Sequence, residues 1–185
     1  NVLEFVKKVR TVTQIPLVCM GYINNVLTYG VEKFVLAAKS AGLDGAIIPD
    51  LPYEEASNML AICKKNDFSL INFVTPNTTA QRINETCKNA DGFIYCVSVN
   101  GVTGVREIDY TPINEVVKIV KQQTQTPVAI GFGIGTPAAA KAASSVADNI
   151  IVGSAVMQKL MAEGLTAYGE LIKTIRQALD EGSQV

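Results

Sequence analysis

The sequence predicts an α/β protein built on parallel strands. Six short apolar runs recur along its 185 residues. They are near-continuous rather than alternating, as in strands covered on both faces. Between them lie segments whose apolar residues repeat at helical spacing. One helix followed by six strand–helix pairs implies right-handed crossovers and a parallel sheet.

The opening segment, NVLEFVKKVR, carries an apolar stripe of Val2, Phe5, Val6, Val9 and Val12 and is expected to be helical. The strand runs are IPLVCMG from Ile15, AIIPD from Ala46, LINFV from Leu70, FIYCVSV from Phe93, PVAIGFG from Pro127 and NIIVG from Asn149. Their starts are 31, 24, 23, 34 and 22 residues apart, room for one helix and two turns each time. A stripe of Val31, Phe34, Val35, Ala38 and Ala41 closes at Gly42, a helix-ending residue. Ala56, Met59, Leu60 and Cys63 form the next stripe, and Ala80, Ile83, Cys87 and Ala90 the one after. Ile113, Val116, Val117 and Val120 follow. The alanine-rich stretch from Thr136 to Val146 fits a short helix after Pro137. The last helix is read from Tyr168, Leu171, Ile172, Ile175 and Leu179.

An open doubly wound sheet and a (β/α)8 barrel both fit this order. No GxGxxG follows the first strand, which weakens a dinucleotide-binding version. An opening helix is unusual for either fold, so a strand is expected before residue 1. Asn1 is not a methionine, which agrees with an internal or processed start.

Length and composition suit one domain over residues 1–185. Sixteen basic and 17 acidic residues give a net charge of -1 with no basic stripe, which argues against nucleic acid as a partner. No apolar run reaches the roughly 18 residues of a membrane span. The segment 1–10 lacks the apolar core of a secretion signal. Cys19, Cys63, Cys87 and Cys96 make no CxxC pair. They read as reduced thiols of a cytoplasmic protein. There is no histidine, so no zinc set is expected and acid–base work would fall to Asp, Glu, Lys, Tyr or Cys.

The late strands end in glycine. PVAIGFGIG carries Gly131 and Gly133, NIIVGSAVM carries Gly153 and Ser154, and NGVTGV carries Gly101 and Gly104. Glycine lets backbone N–H groups approach phosphate oxygens, and a helix N-terminus adds free donors and partial positive charge. In (β/α)8 barrels the loops after late strands often hold phosphate this way. A tight turn would also need glycine, but paired endings on adjacent strands favour the anion site. Neither turn has a lysine or arginine, so backbone and hydroxyl groups would do the holding.

The stretches PLVCMGYINNVLTYGVEKF, AGLDGAIIPDLPYEEA, GFIYCVSVNGVTGVRE, PVAIGFGI and IIVGSA together resemble the alpha subunit of tryptophan synthase, over essentially the whole chain. The resemblance implies a (β/α)8 TIM barrel, here lacking its first strand, first helix and second strand, with six βα units present. It implies cleavage of indole-3-glycerol phosphate to indole and glyceraldehyde 3-phosphate in tryptophan biosynthesis. No metal or organic cofactor is implied, and the partner would be a pyridoxal-phosphate beta subunit. Phosphate would meet Gly104, Gly131, Phe132, Gly133, Ile134, Gly153 and Ser154. The indole pocket would use Met20, Tyr22, Ile47, Pro49, Phe73 and Tyr95, with Thr103 in a loop that closes over substrate. Asn24 and Pro52 would face the beta subunit.

The family's catalytic glutamate and aspartate have no counterpart in these residues, so the chain by itself is expected to be inactive. Asp50 reads equally well as a functional strand-end carboxylate or as a loop cap, and Glu54 and Glu55 suit the first turn of a helix. Val99 stands where the family commonly has arginine. Six strands do not close as eight do, and open edges invite pairing with another chain. The alternative to an enzyme is a non-catalytic protein that binds a phosphate ligand or the beta subunit.

Overall fold

The computed structural model describes residues 2–97, 110–131 and 133–182. Val99, Gly101, Thr103, Gly104 and Phe132 lie outside the described residues. The chain divides into two compact units, Asn1–Phe73 with Lys88–Phe93, and Val74–Cys87 with Ile94–Val185.

The first unit opens with α1 (Val2–Arg10) and β1 (Val18–Met20). Two helices follow, α2 (Ile23–Tyr29) and α3 (Val31–Ala41), separated by Gly30 at φ 92°. Then come β2 (Gly45–Ile47), a 3-10 turn (Tyr53–Glu55), α4 (Ser57–Lys65) and β3 (Ser69–Val74). β1, β2 and β3 are parallel, with Met20 opposite Ile47 and Ile47 opposite Ile71. Val35, Ala38 and Ala41 of α3 are buried together with Met59 and Cys63 of α4 and Ala46 of β2. Glu54 and Glu55 therefore sit in the 3-10 turn ahead of α4 rather than in its first turn.

Arg10 ties this unit together at the strand N-termini. Its Nε donates to Gly42 O (2.6 Å), Nη1 to Ile15 O (2.5 Å) and Nη2 to Asp44 Oδ2 (2.5 Å). The same carboxylate oxygen accepts the Leu17 N–H at 2.7 Å. Gly42 caps α3 at φ 103°, and a Cβ there would come 2.5 Å from Arg10 Cγ. Left-handed backbone and the guanidinium stem thus both require glycine at this cap.

The second unit holds α5 (Ala80–Lys88, except its last residue), β4 (Ile94–Val97), α6 (Thr111–Gln123), β5 (Val128–Gly131), α7 (Pro137–Ser144), β6 (Asn149–Ile151) and α8 (Ser154–Gly182). β4, β5 and β6 are parallel, with Val97 opposite Gly131 and Gly131 opposite Ile151. Ile113, Val116, Val117 and Val120 of α6 are buried, as their spacing predicts, and so are Ala140 and Ala143 of α7. α8 breaks at Gly164 (φ 84°, ψ -175°), which separates a short helix after Gly153 from the last helix.

Candidate functional site

Parallel register decides which side chains share a face. Partnered residues on neighbouring parallel strands point the same way, and so do residues two apart on one strand. Met20, Ile47, Ile71 and Phe73 therefore lie on one face of the β1–β2–β3 group. Three of these are candidate indole-pocket residues. The fourth, Ile71, is only 3% exposed and fills the row between them. Ile47 is buried and Phe73 half-buried, whereas Met20 is 70% exposed at the open side of β1. Pro49 and Tyr22 are exposed on the loops that leave β2 and β1.

Asp50 accepts the Ile23 N–H on Oδ1 at 2.9 Å. Its carboxylate thus serves the first turn of α2, as the capping reading of Asp50 expects. Asn24, on that same turn, and Pro52, just before the 3-10 turn, are both exposed. Nearby, Tyr53 Oη accepts the Asn89 Nδ2 donor at 2.8 Å.

In the second unit Tyr95 on β4 faces the same side as its register partner Ala129 and as Gly131 two residues on. Both neighbours are small, and the phenol ring leans over the strand end. A Cβ built on Gly131 would lie 2.5 Å from Tyr95 Cε2 and 2.7 Å from Cζ, and nearer still to the hydroxyl. A side chain at 131 would therefore have to displace the ring, a constraint the sequence does not display. Burial pushes the Tyr95 phenol above its ordinary pKa, so it stays protonated as a hydrogen-bonding group.

Beyond Gly131 the chain turns through Gly133 at φ 66°, buries Ile134 and reaches Thr136. Thr136 caps α7 by accepting the Ala139 N–H at 3.2 Å on Oγ1. From the adjacent strand end, Gly153 is exposed, and a Cβ on it would meet nothing within 4 Å. Ser154 opens α8, with the Met157 N–H donating back to Gly153 O at 3.2 Å. The two turns meet: a Cβ at Gly135 would stand 3.0 Å from that of Ala155. Gly135 thus belongs with the candidate cradle, and its place at the end of GFGIG was the only signal for it. First-turn N–H groups of a helix lack partners within the helix, so the open side of Gly153 offers donors to an anion.

All four cysteines are free thiols. Burial pushes Cys63 and Cys96 up to about 12, which keeps them neutral and unreactive at ordinary pH. Among the described residues no group of three His, Cys, Asp or Glu could hold a metal ion, and no helix is long and apolar enough to cross a membrane.

A family profile for the tryptophan synthase alpha chain matches residues 1–181. The chain belongs to the tryptophan synthase alpha chain family. The alpha chain of Thermoanaerobacter sp. (strain X514) is 45% identical over 160 residues, covering 86% of this chain and 61% of that relative. The chain thus spans less than two thirds of that alpha chain's length. The crystal structure of the Legionella pneumophila subsp. pneumophila alpha chain superposes with a TM-score of 0.88 at 31% identity, over 100% of this chain and 70% of that one. The alpha chain family's (β/α)8 TIM barrel is therefore the fold class here, represented by six parallel strands. The tryptophan synthase a2b2 complex of Pyrococcus furiosus, whose structure addresses mutual activation, matches with a TM-score of 0.84 at 28% identity, over 96% of this chain and 72% of that one.

Proposed function

We propose that these residues carry the phosphate and indole ends of a lyase site that cleaves indole-3-glycerol phosphate to indole and glyceraldehyde 3-phosphate in tryptophan biosynthesis. One observation carries the reading: Tyr95, a residue of the aromatic wall, lies directly over Gly131, a residue of the phosphate cradle. Such a junction suits a ligand whose aromatic ring and phosphate are joined by a short chain. Gly131, Gly133, Ile134, Gly153 and Ser154 hold the phosphate in this reading, with Gly104 and Phe132. The family resemblance assigns indole contacts to Met20, Tyr22, Ile47, Pro49 and Phe73 in the first unit and to Tyr95 in the second, and names Thr103, which lies outside the described residues, for the loop over substrate.

The reaction breaks a carbon–carbon bond. A proton is delivered to indole C3, and one leaves the glycerol hydroxyl that becomes the carbonyl. Both transfers need positioned acid–base groups. The family's glutamate and aspartate do that work, and neither has a counterpart among these 185 residues. Activity is accordingly proposed for the whole protein, which works in the cytoplasm with a beta subunit docked on the side of Asn24 and Pro52.

The decisive experiment titrates the 185-residue chain with glycerol 3-phosphate and follows indole release from indole-3-glycerol phosphate. Glycerol 3-phosphate should bind the parent chain, and Gly133→Val should abolish that binding, because valine strains the positive φ and blocks the backbone donors. No indole should form. Unchanged binding in Gly133→Val overturns the cradle, and turnover by the chain alone overturns the assignment of the acid–base step.

A further inference from the structure

We infer that Asp50 is a positioning residue that locks Tyr22 to the end of β2, so that the parts of the aromatic wall carried by β1 and β2 form one rigid piece. The inference rests on the reading above, in which Met20, Tyr22, Ile47 and Pro49 face the indole ring. Tyr22 is 65% exposed, and its backbone is extended (φ -99°, ψ 148°) at the start of α2. Nothing in its own side chain can cap that helix, and a tyrosine on a loose loop would lose freedom on closing over a ring.

Two ties remove that freedom beforehand, one on each side of Tyr22. The Gly21 N–H donates to Ile47 O at 3.1 Å. The Ile23 N–H donates to Asp50 Oδ1 at 2.9 Å. Both acceptors come from the segment that also supplies Ile47 and Pro49. Asp50 is itself held by a turn, in which the Leu51 N–H donates to Ile48 O at 3.2 Å. A negative charge at the start of α2 also complements the partial positive charge there. The PDLPYEE motif thus places one carboxylate for the neighbouring loop while its prolines stiffen the strand exit.

The test uses the isotope-labelled 185-residue chain, titrated separately with indole and with glycerol 3-phosphate and followed by NMR. Asp50→Ala should weaken indole binding about three- to tenfold, the worth of one charge-assisted hydrogen bond. Glycerol 3-phosphate affinity should be unchanged, because the cradle belongs to the other unit. Asp50→Asn keeps an acceptor oxygen and should restore most of the loss. If the parent binds indole and Asp50→Ala binds it equally well, the positioning role is overturned and the wall stands. If Asp50→Asn is as weak as Asp50→Ala, the hydrogen bond is not the cause and the inference fails. If the parent binds no indole, the wall and the inference fall together. Parallel loss of both ligands with loss of cooperative unfolding would mark Asp50 as a general stabiliser and would also overturn the inference.

Discussion

Gly131 can hardly be any other residue while Tyr95 lies where it does. A methyl group at 131 would sit inside contact distance of three phenol atoms, and the ring would have to leave its rotamer or the strand end shift. Gly131→Ala should cost about 1–3 kcal/mol, the usual range for overpacking. In a Tyr95→Ala background the same change should cost less than about 0.5 kcal/mol, since nothing remains to collide with. A double-mutant cycle read by urea unfolding measures that coupling. Equal costs in both backgrounds would show that the ring is not what excludes a side chain.

At the scale of elements, two polar clusters join helices to strands. Arg10 links the C-terminus of α1 to the cap of α3 and to the approaches of β1 and β2, with its side chain only 17% exposed. Arg10→Ala should destabilise the chain by about 2 kcal/mol, because Gly42 O, Ile15 O and Asp44 lose a charged donor together. A smaller denaturant midpoint shift than an ordinary surface substitution gives would refute the clamp. Asp148 plays the matching part in the second unit, accepting Lys121 Nζ at 2.7 Å and the Val128 N–H at 2.9 Å. Burial alone would raise its pKa, but the Lys121 and Val128 bonds outweigh that and hold it below the usual carboxylate range. A depressed carboxylate stabilises the fold above its unfolded value of about 3.9 and loses that effect as pH falls through its folded value. The stability gap between the parent chain and Asp148→Asn should therefore be present at pH 6 and shrink below pH 4. A gap that does not change with pH would exclude the ionised pair.

For the molecule as a whole, exposed apolar surface stands out. On the part of α8 before Gly164, Met157 (52%) and Met161 (84%) stand four residues apart on one exposed face. Exposed apolar stripes of this kind promote association. Sedimentation velocity should show concentration-dependent association of the 185-residue chain, reduced by Met161→Lys, with stability changed by less than about 0.5 kcal/mol. Identical sedimentation of the two chains would refute a role for the stripe. The sequence made the strand and helix order legible because burial on both faces and helical spacing leave a repeating signature. It was silent on α2, whose seven residues bury only Val26. It also named Val2, Phe5 and Val12 as a packing face, yet these remain 66%, 67% and 83% exposed. Periodicity shows that a face is apolar, not what covers it. The glycine-ended strands were legible as a candidate cradle. The contacts of Gly131 with Tyr95 and of Asp50 with Ile23 were not, because each joins residues 27 to 36 positions apart through pairing that local pattern does not encode.

The Arg10 clamp also bears on time. Its partners Gly42 and Asp44 lie 32 and 34 residues away, so it closes a loop that spans β1, α2 and α3. A contact closed over such a loop costs loop-closure entropy to form, and one that is not yet made in the transition state acts as a brake on opening rather than as an aid to assembly. Removing the guanidinium should then leave the refolding rate nearly untouched and speed the escape from the native state, which makes one side chain near the start of the chain a setting for the lifetime of the first unit.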